Sequence, residues 1–106
     1  MPPSGHVEFV IRFRGGNFET WKAAFDEHEP QRIRHGAVSH WLARSIDDPN
    51  EFIGVVEFTS IGGARAYAAD ADRLDVQQAL MLKGGPHHKT WEEGISETVD
   101  KVTYST

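Results

Sequence analysis

Between His6 and Phe13 the side chains alternate: Val7, Phe9, Ile11 and Phe13 fall on one side, and His6, Glu8, Val10 and Arg12 on the other. A period of two, rich in aromatic and β-branched residues, predicts a strand. Arg14-Gly15-Gly16-Asn17 breaks it. Asn17, or less favourably Thr20, suits the N-cap of a helix reaching about His28. Phe18, Trp21, Phe25 and His28 recur at helical spacing, and Pro30 is expected to stop the helix. A strand followed at once by so aromatic a helix leaves little choice of layer, because the helix stripe must pack on the apolar side of a sheet.

The rest of the chain supplies that sheet. Gly36 opens a second strand from Ala37 to Ser45, Asp47-Asp48-Pro49-Asn50 has the chemistry of a turn, and a third strand runs from Glu51 to Thr59 as an antiparallel neighbour. Ser60 caps a helix from about Ile61 to Ala69. After a weak break at Asp70–Asp72 it continues from Arg73 to Lys83, and Gly84-Gly85-Pro86 ends it. From Trp91 to Tyr104 the alternation is imperfect, since Ile95, Val99 and Val102 do not share a register, so this segment reads as a strand with a bulge. The order β-α-β-β-α-β predicts an α+β, ferredoxin-like fold, a four-stranded antiparallel sheet with its helices on one face. With 106 residues there is room for one domain, expected over residues 6–106, with residues 1–5 as a flexible N-terminus.

Composition excludes several classes of function. Sixteen acidic against eleven basic side chains give a net charge of −5. The only basic run, Arg32, Arg34 and His35, is too short for a phosphate-backbone footprint, so no nucleic-acid partner is expected. Without cysteine there is no disulfide, thiolate metal site or thiol nucleophile. No apolar run reaches membrane-spanning length, and Met1-Pro2-Pro3-Ser4-Gly5 lacks the pattern of a signal peptide, so a cytoplasmic location is the expectation. There is no Gly-x-Ser-x-Gly elbow, P-loop or dinucleotide fingerprint, and Arg14-Gly15-Gly16 is too short to cradle phosphate. No nucleotide, flavin or other cofactor is expected.

The strand patterns also bear on assembly. In the third strand Phe52, Val56 and Phe58 oppose Ile53 and Val55; in the second, Val38, His40 and Leu42 oppose Trp41 and Ala43. Two helical layers cover one sheet face only, so apolar groups on both sides predict a homodimer packed sheet to sheet. A monomer with scattered surface apolar groups is the alternative.

Phe18-Glu19-Thr20-Trp21-Lys22, Phe25-Asp26, Arg32, Gly36, Asp48-Pro49-Asn50, Val56-Glu57-Phe58 and Met81-Leu82-Lys83-Gly84-Gly85-Pro86 form a series. It resembles the dimeric α+β-barrel superfamily, near its antibiotic-biosynthesis-monooxygenase-like and polyketide-cyclase-like members. The resemblance covers about residues 6–104 and rests on spacing rather than on a catalytic signature. It implies two subunits with face-to-face sheets and a small-molecule pocket in each, commonly between sheet and helices. Haem-degrading members use a histidine of the second helix as iron ligand; Ile61–Lys83 contains none, which disfavours haem here.

Several side chains are candidates for chemistry, each with a plainer alternative. His40, mid-strand, suits proton transfer if it lines a pocket, or is a half-buried histidine bonded to backbone or at a dimer seam. Glu57, on the Ile53 and Val55 side, is a base if its surroundings raise its pKa, or forms an ion pair with Arg12 or Arg44. Trp21, Trp41, Tyr67 and Met81 are substrate contacts or core. His28 overhangs a pocket mouth or is solvated at the helix end. Arg12 or Arg32 steadies developing negative charge, or belongs to a solvated face. His87 and His88 invite a metal, but loop neighbours seldom both ligate and no further ligand spacing accompanies them, so no metal site is expected. Together with the resemblance, these residues predict a cyclase or cofactor-independent monooxygenase acting on an aromatic or polyketide-like compound. A non-catalytic ligand-binding or dimerisation module, or an isomerase on the same fold, is the alternative.

Overall fold

A computed structural model describes residues 6–82 and 89–105 of the protein. The elements are β1 (Val7–Arg14), α1 (Phe18–Glu27), α2 (Glu29–Arg34), β2 (Ala37–Arg44), β3 (Glu51–Phe58), α3 (Ile61–Ala68), α4 (Ala71–Leu82) and β4 (Thr90–Glu97). The strands form one antiparallel sheet in the order β2-β3-β1-β4, the ferredoxin-like arrangement expected from the element order. Among the described residues no helix is long and apolar enough to cross a membrane.

Local chemistry sets the boundaries. The Asn17 side chain accepts from the Thr20 N–H at 2.9 Å and starts α1, while Ser60 Oγ accepts from the Gly63 N–H at 3.0 Å and starts α3. In the β2–β3 turn Ser45 Oγ accepts from the N–H groups of Asp47 and Asp48, and Asp48 Oδ1 from that of Asn50. Gly63 is required by crowding: a Cβ there would lie 2.1 Å from the His35 carbonyl oxygen, where α2 ends against the start of α3.

Three expectations are corrected. Pro30 does not stop the helical region, because it falls in the first turn of α2, where its missing N–H has no intrahelical carbonyl to lose. The last strand ends at Glu97 rather than near Tyr104. Its partner β1 begins at Val7, and beyond a 3.4 Å bond from the Thr98 N–H to the His6 carbonyl no strand among the described residues pairs with it. Val99 and Val102, out of register, are accordingly exposed. The expected bulge is absent from the β1–β4 ladder; the irregularity lies instead between Ala37 and Ser39 of β2. Gly84-Gly85-Pro86, His87, His88 and residues 1–5 lie outside the described residues.

The core lies between the sheet and its helices. Val7, Phe9, Ile11 and Phe13 of β1 and Phe52, Val56 and Phe58 of β3 face Trp21 and Phe25 of α1 and Ala64 and Tyr67 of α3. Burying each of the large side chains is worth about 1.5–3 kcal/mol. Gly54, paired with Ile11, leaves the space that the Trp21 indole fills; a Cβ there would meet Trp21 Cη2 at 3.1 Å. The molecule is 19 Å across its shortest axis, and among the described residues no helix lies over the opposite sheet face. Along that face the pairing aligns Trp41, Val55, Val10 and Gly94 in one row across all four strands. A polar row, Ser39-Glu57-Glu8-Ser96, flanks it on one side, and on the other lies Ala43-Ile53-Arg12-Glu92, apolar in its first two residues and charged in its last two. The apolar groups of this face, Trp41 and Ala43 of β2, Ile53 and Val55 of β3 and Val10 of β1, include the four that the strand patterns set together on β2 and on β3.

Candidate active site

Between sheet and helices, beside the core, lies a cavity of about 30 Å³. Ile11 and Trp91 line it from the sheet, and Trp21, Phe25 and His28 from α1 and its C-terminal cap. Tyr67 closes one end, and Arg73, Val76, Gln77 and Leu80 form a wall from one stripe of α4. The space holds a water molecule or two, or a dioxygen. A ring-sized molecule fits only if α4 moves outward.

Three of the lining groups are polar in ways that follow from local structure. His28 both ends α1 and caps α2. Its Nδ1 lies 3.0 Å from the Ala24 carbonyl; donating a proton to that oxygen leaves Nε2 of the neutral ring as a free acceptor. Tyr67, 2% exposed, packs edge-on against Phe9 at 5.5 Å and beside Phe58 at 5.6 Å. Burial pushes its pKa above the usual tyrosine value of 10.0, although a hydrogen bond from Arg32 and the Arg32 and Arg73 charges pull the other way. The phenol is thus a neutral hydrogen-bond donor at physiological pH.

Arg73 is buried and doubly held by Glu93, with Nη1 3.0 Å from Oε2 and Nη2 3.0 Å from Oε1. Arg73 Nε also donates to the Tyr67 carbonyl at 3.1 Å, and Trp91 Nε1 donates to Glu93 Oε2 at 2.9 Å. One ion pair therefore ties α4 to the end of α3 and to β4 across the cavity.

Asp70 orients Arg73 from behind: its Oδ1 accepts from the N–H groups of Asp72 and Arg73, and its Oδ2 lies 3.2 Å from His35 Nε2. The hydrogen bond from His35 holds the Asp70 pKa below the ordinary carboxylate value of 3.8, outweighing desolvation. A carboxylate depressed in the fold stabilises it fully above that ordinary value, and the contribution is lost as pH falls through the lowered one. Asp70→Asn is therefore expected to reduce stability by a constant amount above about pH 5. The two proteins should converge toward pH 2 in urea titrations run at each pH. A difference that does not shrink in acid would show the pair to be unimportant.

The structure distributes the residues singled out from sequence over three places. Trp21, His28 and Tyr67 line the cavity. Met81 packs against the core beside it. Arg12, Trp41 and Glu57 are on the opposite, uncovered sheet face; Glu57 lies 3.5 Å from His6 Nδ1 and accepts from Ser39 Oγ at 3.3 Å. Among the described residues Glu57 has no ion pair with Arg12 or Arg44, and Arg44 is 3.7 Å from Glu19 instead. His40 is on the helix side but at the sheet edge, exposed, its ring 5.0 Å from Phe25. His40 and Glu57 therefore do not meet within one chain. Arg32 is buried beneath α2, its guanidinium 3.5 Å from the centre of the Phe25 ring.

Arg73, Gln77 and Trp91 on the lining, and Glu93 that holds Arg73 and Trp91, were not singled out from sequence. A signal for them exists: Arg73, Val76, Gln77 and Leu80 recur at helical spacing, and Trp91, Glu93 and Ile95 alternate. Among the described residues no group of three or more His, Asp or Glu side chains is placed to hold a metal ion.

No protein-family model matches the sequence, and no curated protein does. Solved structures match its fold along nearly its whole length. SnoaB, a cofactor-independent oxygenase from Streptomyces nogalater, superposes with a TM-score of 0.74 at 23% identity, covering 95% of this chain and 100% of that one. A proposed antibiotic biosynthesis monooxygenase from Bordetella bronchiseptica gives 0.67 at 16% identity, over 91% and 99% of the two chains. Another, from Nitrosomonas europaea, gives 0.65 at 20% identity, over 91% and 93%. The chain thus has the fold of the antibiotic-biosynthesis-monooxygenase-like proteins, in agreement with the resemblance seen in its sequence.

Proposed function

We propose that this protein is a small-molecule enzyme of the cofactor-independent monooxygenase or cyclase type, acting on an aromatic or polyketide-like compound. The observation that carries the reading is an aromatic-walled cavity lined by the His28 imidazole, whose Nδ1 is 3.0 Å from the Ala24 carbonyl, and by the buried Tyr67 phenol. Without a bound cofactor, the substrate itself must supply the electrons that reduce dioxygen. The protein then has two tasks, to remove a proton from the substrate and to hold the resulting anion away from water. In this scheme α4 moves outward to admit the substrate, His28 Nε2 is the base, the Tyr67 hydroxyl donates to the developing oxyanion, and Trp21, Phe25 and Trp91 contact the ring. The acid–base role considered for His40 and Glu57 goes to His28 because of its place on the cavity. Fold likeness to SnoaB supports the reading by analogy only.

The expected outcome in an oxygen electrode is dioxygen uptake with a polycyclic phenol or an aromatic 1,3-dicarbonyl compound and no added cofactor. His28→Gln should lower kcat about 100-fold or more, the usual range for a lost general base, and Tyr67→Phe by about 10-fold. Product formed at the same rate without oxygen would make the enzyme a cyclase or isomerase. Turnover indifferent to His28→Gln would remove the cavity from the chemistry.

The uncovered sheet face supports a second element of the proposal, a homodimer joined through the Trp41-Val55-Val10-Gly94 row. The cavity is on the far side of the sheet, so each chain would keep its own site facing outward.

A further inference from the structure

Arg32 is 2% exposed, and among the described residues no carboxylate lies within 4 Å of it. Its Nη1 donates to the Phe25 carbonyl at 2.6 Å, and that oxygen is already shared with the His28 N–H. Nη2 is buried with no hydrogen-bond partner. A guanidinium so placed has given up water for one carbonyl, one aromatic face and the Tyr67 hydroxyl, none of which neutralises it, and cannot shed its charge by deprotonation. Such a group is half of an ion pair whose anion is not supplied by the described residues.

A groove of about 300 Å³ between α2 and β2 has Arg32 in its lining. Its walls include Ile33 and Val38, which are 62% and 53% exposed, apolar surface with no cover. His40 and Ser39 add polar atoms from the strand, and Glu29 is the acidic residue on the lining. We infer that this groove binds a small carboxylate with an apolar body, an aryl or short alkyl acid. The carboxylate pairs with Arg32 Nη2, and the apolar body covers Ile33 and Val38. The exposed side chains of Ile33 and His40 change rotamer to admit it, a motion available on the nanosecond scale. The inference does not depend on the chemistry proposed for the cavity, which has its own lining of His28, Gln77 and Arg73.

The test is titration of the full chain with benzoate and hexanoate, with benzamide and hexanol as uncharged controls, followed by calorimetry and by ¹⁵N shifts of residues 29–40. Saturable binding of an acid is expected, at least about 10-fold tighter than that of its control. Ile33→Glu, on an exposed site that leaves the core intact, should weaken it about 10-fold or more, and Arg32→Met should abolish it. Arg12→Met, on the other sheet face, should change nothing. Should Arg32→Met fail to fold, Ile33→Glu decides alone. The proposal is overturned if neither acid saturates the groove up to about 20 mM, if acid and control bind alike, or if Ile33→Glu leaves binding unchanged.

Discussion

Glu93→Ala is expected to destabilise the fold by about 3 kcal/mol, a large part of what a domain this size has to lose. The side chain of Arg73 is only 6% exposed, and Glu93 supplies its sole carboxylate partner among the described residues. Removing one partner of a buried pair leaves the other charge without its solvent and without its counter-ion. The loss falls at the low end of the usual range because the Glu93 side chain is 28% exposed, so water can reach the vacated position. Arg73 would keep its bonds to the carbonyls of Tyr67 and Ala68, and these alone do not neutralise it. The double variant Arg73→Met, Glu93→Met removes both charges and should be more stable than Glu93→Ala, although it loses the tie between α4 and β4. Thermal melts resolve the difference easily, since 1 kcal/mol moves Tm by about 4–8 °C at this chain length. If Glu93→Ala melts within a few degrees of the parent, the ion pair does not hold the cavity wall.

That pair also marks the limit of what the sequence discloses. The strands, their antiparallel order and the aromatic stripe of α1 are written in period-two and helical patterns that neighbouring residues carry by themselves, and the fold follows from them. Arg73 and Glu93 lie on different elements, and in a chain that is one-quarter charged each passes for an ordinary solvated side chain. Only the docking of α4 against β4 turns them inward. The placing of His40 and Glu57 on opposite faces of the sheet was hidden for a related reason. Alternation places Glu57 with Ile53 and Val55 and His40 with Leu42, but β2 and β3 carry apolar groups on both sides. Which face the helices cover is therefore not fixed by the strand pattern. It is fixed by Trp21 finding room above Gly54, a contact between distant segments. Pro30 misled because its role depends on its place in a helix, and a new first turn is where it does least harm.

Trp41→Glu is expected to turn a dimer of two 11.9 kDa chains into single chains without unfolding them. Trp41 is 55% exposed and outside the core cluster, so a charge there costs the single chain little. In a sheet-to-sheet dimer the same residue would begin the apolar row through Val55 and Val10, with Gly94 leaving open space at the far end for a large side chain of the second copy. Loss of an anchoring tryptophan alone costs a typical interface about 2 kcal/mol or more, roughly 30-fold in Kd. A carboxylate buried among apolar side chains adds to that. The flanking Glu8 and Glu57 sharpen the effect, since a third acidic group would meet like charge from both chains. Sedimentation velocity at about 10 μM, together with melting curves, separates the cases. A parent protein already sedimenting as one chain would remove the dimer from the proposal, and with it any need for the apolar row to be covered. A variant that dimerises as well as the parent would move the interface elsewhere, to a surface that does not include the open side of the sheet.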